Sequence, residues 1–229
     1  MSSEGNDRVP TPPELNFTLK TESDFNNNDL SSDEIQAQLL LTDILIITAS
    51  DHESSACYSY MKPIRRCYCE DLYRCVDFGQ FGDEDDQNVK VTLMKCELRS
   101  NEGQLAVKNA AEILKPKVVL FVGTCASKNP KKAKLGDVVA SAKLGTYDRK
   151  VMADGTVNYR GAKVSEIMAC LILSAADDWK PPLKDPTSLN IEVHCDAVML
   201  SDSNLFDDDK DVVDYCHNAL GLEMESAGR

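Results

Sequence analysis

The sequence predicts an α/β fold in three layers, a mostly parallel central sheet flanked by helices. Three observations carry that prediction. Two unbroken aliphatic runs, Ile44-Leu45-Ile46-Ile47 and Val118 to Val122, suit strands buried on both faces. Segments of helical spacing alternate with the strand-like runs, which implies βαβ units. Each run ends in small or polar residues, Ala49-Ser50-Asp51 and Gly123-Thr124-Cys125-Ala126-Ser127. In open parallel sheets ligands bind beyond the carboxyl ends of the strands, so these two turns are the first candidates for a site.

Taken in order, residues 1–35 read as a disordered acidic tail. Pro10, Pro12, Pro13 and the Asn26-Asn27-Asn28 run offer little apolar surface to offset ordering entropy. The domain is expected over residues 36–229, opening with a helical lead from Ile35 to Leu41. The strand Asp43 to Thr48 comes next, then a helix through about Met61 with Ser50 or Asp51 as N-cap. Ile64 to Gly82 shows no clear period, and Gly82 to Gln87 reads as an acidic turn. Val89 to Leu98 alternates as a strand does. Glu102 to Lys115 carries Leu105, Ala106, Ala110, Ile113 and Leu114 at helical spacing, and Pro116 ends it.

After the strand at Val118 to Val122, a basic loop leads to a second strand opening at Leu135-Gly136-Asp137 and continuing through Ser141 to Tyr147. A turn falls at Asp154-Gly155. Lys163 to Ala176 reads as an apolar-rich helix ended by Pro181-Pro182, and Asn190 to Leu200 as another strand. A helix is expected from Lys210 to Leu220, then a last strand from Gly221. On that strand Glu223 and Glu225, two apart, share a face and Met224 takes the other. Acidic groups in an apolar strand are costly unless paired or bound to a ligand; the alternative is an exposed strand end.

The totals narrow the function classes. The chain has 229 residues and a formal net charge of -13, which argues against nucleic acid and anionic membranes as partners. The one basic cluster, Lys128 to Lys134, is local. No apolar run approaches the roughly 20 residues of a membrane span. Nine cysteines, an odd number, with no signal-peptide pattern favour reduced thiols and a cytoplasmic location. Cys57, Cys67, Cys69 and Cys75 lack the paired spacing of a zinc site, so free thiols are the expectation.

Five pieces in order carry a resemblance. ILIITASDHE, VGTCAS, LGDVVAS, CDAVML and GLEMESAG together resemble the nucleoside phosphorylase/nucleosidase superfamily, which holds purine and uridine phosphorylases and the methylthioadenosine/S-adenosylhomocysteine nucleosidases. The likeness covers about Leu41 to Gly228. VGTCAS followed by KLGDVV looks most like the phosphorylase-type domains attached to multidomain signalling proteins.

The resemblance implies cleavage of the N-glycosidic bond of a purine nucleoside, with no cofactor and with phosphate as co-substrate if the reaction is phosphorolysis. It implies that Glu53 orients the attacking water, and that Gly123 and Thr124 line the nucleophile side. Val198 and Met199 would flank the base, Met224 would pack on the sugar, and Glu225 would accept from the ribose hydroxyls. Bacterial-type phosphorylases carry a phosphate-binding Arg two residues before the turn glycine; here that position is Phe121, which favours hydrolysis. Neither Arg65, Arg66 nor Arg99 is clearly placed to replace that Arg, and Arg99 and Lys95 remain the possible substitutes. Homo-oligomers are common in the family. Its general acid, an Asp, lies on a later strand, so the chain reads as truncated, with the last strand and helix missing. A catalytically silent nucleoside-binding or regulatory module is the alternative to an enzyme.

Overall fold

The computed structural model describes residues 12–25, 42–82, 89–96, 101–151, 157–201 and 219–223. Its α/β architecture is built on two five-stranded ladders. The first comprises β1 (Ile44–Thr48), β2 (Lys62–Cys69), β3 (Arg74–Phe81), β4 (Val89–Lys95) and β5 (Val118–Phe121), in the order β2-β3-β4-β1-β5. The second comprises β6 (Ala126–Ser127), β7 (Val138–Val151), β8 (Val157–Lys163), β9 (Val193–Ser201) and β10 (Ala219–Glu223), in the order β6-β10-β9-β7-β8. In the first ladder the parallel pairs, β1 with β4 and β5, run to the β5 edge, and the antiparallel β2, β3 and β4 form the other side. In the second, β9 pairs in parallel with β7 and β10 in the middle, with antiparallel pairs to β8 and β6 outside them.

Alternation along the first ladder assigns its two faces. Leu45, Ile47, Val76, Phe78 and Met94 pack with Ala106, Ala110 and Leu114 of helix α2 (Asn101–Leu114). Ile46, Val91 and Leu93 pack on the other face with Tyr58 of helix α1 (Asp51–Tyr60) and with Met61 and Phe25. That is the expected three-layer arrangement. Cys67, Cys69 and Cys96 are buried in the first cluster as small apolar groups, and the described cysteines are free thiols. No helix among the described residues is long and apolar enough to cross a membrane.

The structure departs from the sequence expectations at several points. Residues 62–81, without a clear period in the sequence, form the β2–β3 hairpin. Its connection is a short 3-10 turn, Glu70–Leu72, closed by Tyr73 at φ 51. No Gly or Asn marks it, so the usual hairpin signal is missing. The apolar rhythm is also broken by Arg66 and Asp77, which face each other across the strands and pair through two hydrogen bonds of 2.7 and 2.8 Å. Ala219 and Leu220, expected as the end of a helix, open β10 instead. The expected helix over 163–176 is shorter, α3 (Glu166–Leu173), with Ser165 as N-cap and turns through Asp178. Part of the stretch expected as a tail, residues 12–25, lies against the domain, and Phe25 is buried. The expected helices at Ile35 to Leu41 and Lys210 to Leu220 fall mostly or wholly outside the described residues, as does the turn at Asp154-Gly155.

Candidate active site

The chain leaves β5 at the edge of one ladder and enters β6 at the edge of the other within four residues, Val122 to Cys125. β5 runs parallel to β1, so their carboxyl ends lie side by side. β6 runs antiparallel to β10, which places Cys125 beside the carboxyl end of β10. The VGTCAS turn therefore sits where the carboxyl ends of both ladders meet.

Glu53 closes the turn after β1. Ser50 caps α1, its hydroxyl accepting from the Glu53 N–H at 3.3 Å, while Glu53 Oε2 accepts from the Ser50 N–H at 2.9 Å. This reciprocal arrangement has a sequence signature, Ser-x-x-Glu, present here as Ser50-Asp51-His52-Glu53. Oε2 also accepts from the Ala49 N–H at 3.1 Å. Oε1 reaches across to β5's turn and accepts from the Thr124 N–H at 3.0 Å and, more weakly, from its hydroxyl at 3.4 Å. One carboxylate thus ties both candidate turns together. Burial pushes its pKa up, but the N–H groups of Ser50, Thr124 and Ala49 outweigh that, and the group lies below the ordinary glutamate value. The same charge, added to burial, pushes the neighbouring Cys57 thiol up to about 11.

Met199 on β9 also reaches the turn. A Cβ built on Gly221 would lie 2.5 Å from Met199 Sδ and 3.2 Å from Cys125 Sγ, so these two sulfurs flank the same bare backbone. Gly221→Ala is expected to push aside the flexible end of Met199 at a cost of about 1 kcal/mol; chemical denaturation measures it, and a cost well above about 3 kcal/mol would show that the Met199 end cannot give way. Desolvation, with the Glu223 carboxylate at the end of β10, raises the Cys125 thiol above its ordinary value.

Glu53, Gly123, Thr124 and Met199 are thus gathered at one edge. Val198, one residue before Met199, points from the opposite face of β9 by strand alternation. Met224 and Glu225 lie outside the described residues. The Met199 N–H already donates to the Ser141 hydroxyl at 3.3 Å, and the single proton of that hydroxyl has two carbonyls in reach, Lys143 O at 2.6 Å and Ala197 O at 3.0 Å. Ser141 sits where the β7–β9 register shifts and satisfies the backbone there. Nothing in the sequence pattern singled it out.

Phe121, two residues before Gly123, is 52% exposed and apolar. Two of the cations that could have replaced an anion-binding arginine are engaged elsewhere. Arg66 is bound to Asp77, and Lys95 forms ion pairs with Asp51 and Glu22. Arg99 lies outside the described residues. His52 is exposed on the first turn of α1.

No family model matches the chain. A death domain-containing ATP nucleosidase from Amphimedon queenslandica is 25% identical over 211 residues, covering 80% of this chain and 39% of its own length. The chain thus spans about two-fifths of that curated relative. Among solved structures, a 5'-methylthioadenosine/S-adenosylhomocysteine nucleosidase from S. pneumoniae superimposes with a TM-score of 0.57 at 15% identity, over 80% of this chain and 76% of its own. A Streptococcus pyogenes S-adenosylhomocysteine nucleosidase gives 0.57 at 17%, over 79% of this chain and 72% of its own. The futalosine hydrolase of Helicobacter pylori gives 0.54 at 16%, over 82% and 76%. These superpositions show that the chain has the fold of the nucleosidases and the hydrolase that it matches.

Proposed function

We propose that the chain is a purine nucleosidase domain that cleaves the N-glycosidic bond by water rather than by phosphate. The observation that carries this reading is the ionised Glu53 carboxylate, held by three backbone N–H groups at the junction of the β1 and β5 turns. A carboxylate offers about four lone-pair sites, and the fourth is taken only by the long contact to the Thr124 hydroxyl. A water that displaced this hydroxyl would be held by Glu53 and Thr124 together and aimed at the anomeric carbon of a bound ribose. The exposed phenyl ring of Phe121 supports water over phosphate, since it supplies no donor to an anion. Water being the second substrate, the reaction as proposed needs no cofactor; phosphate would replace water in phosphorolysis.

The substrate follows from the names of the relatives. One acts on ATP and others on methylthioadenosine and S-adenosylhomocysteine, which share an adenosine unit. Met199 supports a base-side contact beside the turn, with Val198 behind it, and Glu225 and Met224 are proposed for the ribose. A homo-oligomer belongs to the same reading, supported by the exposed Ile167, Leu171 and Leu173 of α3. So does a cytoplasmic location, supported by the free thiols.

The test is incubation with ATP, adenosine, inosine and methylthioadenosine, with and without phosphate, following release of free base. Base released without phosphate, with free sugar as the other product, is the expected result; strict dependence on phosphate would overturn the preference for water. One observation favours a second reading, a silent nucleoside-binding module: in the structure Glu53 spends all its acceptor capacity on the protein. Ligand binding without base release under either condition would select it.

A further inference from the structure

We propose that residues 14–25 form a positioning strap for the candidate site, with Phe25 fixing α1 and, through it, the Glu53 carboxylate. The strap starts on the second ladder's side. Leu15 bridges Leu183, the Asn16 N–H donates to Pro182 O at 3.0 Å, and the Lys184 N–H donates to Glu14 O at 2.9 Å. It then runs to the far end of α1. There the ring of Phe17 meets Tyr60 edge-on at 6.1 Å, and the Lys20 N–H donates to Ser59 Oγ at 2.7 Å. Thr21 closes a one-turn 3-10 helix (Glu22–Asp24) by a reciprocal cap with Asp24, and this turn delivers Phe25 into the core.

Phe25 is 5% exposed and held between two other elements. Its ring lies 3.9 Å from that of Tyr58 on α1, and the Arg66 guanidinium of β2 stacks on it at 4.2 Å. Arg66 is itself oriented by its paired bonds to Asp77. An aromatic ring under a guanidinium that is already neutralised is a rigid seat, because neither partner is free to turn away. At the opposite end of α1, Lys95 pairs with Asp51, the first residue of the helix, and with Glu22 of the strap at 3.6 Å. The strap therefore holds both ends of a ten-residue helix whose first turn carries Glu53. None of these contacts touches the site itself, which makes Phe25 and Glu22 positioning residues.

The consequence for catalysis rests on the nucleosidase reading; the positioning does not. Amide hydrogen exchange on the full chain separates the two. In Phe25→Ala, the three amides that bind Glu53 (Ala49, Ser50 and Thr124) are expected to exchange about tenfold faster or more, with Ala106 to Leu114 of α2, which packs in the other core cluster, unchanged. No change at those three amides would overturn the proposal, as would a uniform rise that includes α2, which marks general destabilisation. Should Phe25→Ala fail to fold, Glu22→Lys leaves the core intact and is expected to speed exchange at Ala49 and Ser50; unchanged exchange there overturns the proposal equally. Base release is measured on the same proteins. A wild-type chain that releases no base defeats the nucleosidase reading and leaves the exchange result standing. A wild-type chain that does release base is expected to lose kcat in Phe25→Ala with KM little altered; wild-type kcat beside loosened amides would overturn the catalytic consequence.

Discussion

Replacing Glu53 with glutamine is expected to lower the rate of base release by about two orders of magnitude or more and to destabilise the fold by about 2–3 kcal/mol. The two effects share one cause. Glutamine has the length of glutamate, but one of its two terminal atoms is an amide nitrogen that cannot accept. Oε2 accepts from Ala49 and Ser50, and Oε1 accepts from Thr124. Whichever way the amide lies, at least one part-buried N–H faces a donor. Loss of the negative charge also removes the group that would polarise a water beside Thr124. Chemical denaturation and base-release kinetics read the two consequences separately. Unchanged stability would mean that the carboxylate does not tie the two turns together; full activity with lost stability would confine Glu53 to a structural role.

Asp137→Asn is expected to destabilise the protein by about 2–3 kcal/mol at neutral pH. Its side chain is 2% exposed and satisfies four donors. Oδ1 accepts from Lys134 Nζ at 2.8 Å and the Glu192 N–H at 3.0 Å, and Oδ2 from the Lys134 N–H at 2.9 Å and His194 Nε2 at 3.2 Å. These bonds lock the start of β7 to the start of β9. Gly136, at φ 96, makes the preceding turn possible where an L side chain would be strained. Burial alone would raise the Asp137 pKa, but Lys134, the Glu192 N–H and His194 hold it well below the ordinary carboxylate range.

The sign of the pH dependence follows. A carboxyl with a depressed folded-state pKa binds fewer protons folded than unfolded. Its stabilisation is complete above the unfolded value near 4 and is lost as pH falls through the folded value. The stability gap between wild type and Asp137→Asn is therefore expected to be full from about pH 5 upwards and to close in acid. Denaturant titrations at a series of pH values measure it, and a gap independent of pH would show that Asp137 is not the charged centre of this lock.

Local sequence information determined much of the framework. β1, β4, β9 and α2 were legible because aliphatic runs, alternation or helical spacing record their burial directly, and α1 was legible from its Ser50 cap. β5 was legible as a strand, but at the edge of its ladder it is only part-buried and not buried on both faces as its aliphatic run predicted. The resemblance, carried by five short motifs, also placed the candidate site at the strand ends after β1 and β5. Glu53 and Thr124 were legible as neighbours of those ends, but their direct bond was not, since it joins residues far apart in the chain.

Other features only the tertiary structure decided. The β2–β3 hairpin escaped because Arg66 and Asp77 neutralise each other across the strands, and a charge reads as a surface residue until its partner is known. Phe25 read as part of a polar tail because one aromatic among Asn, Ser and Asp cannot form a core alone; Tyr58, Arg66 and Met61 supply the rest of it. Ser141 looked like any strand serine until the register shift brought backbone groups of Lys143, Ala197 and Met199 to its hydroxyl. In each case the sequence specified a residue's chemistry, while its role depended on a partner brought near by the fold. Pairing energies of this kind arise between distant positions, and no local period records them.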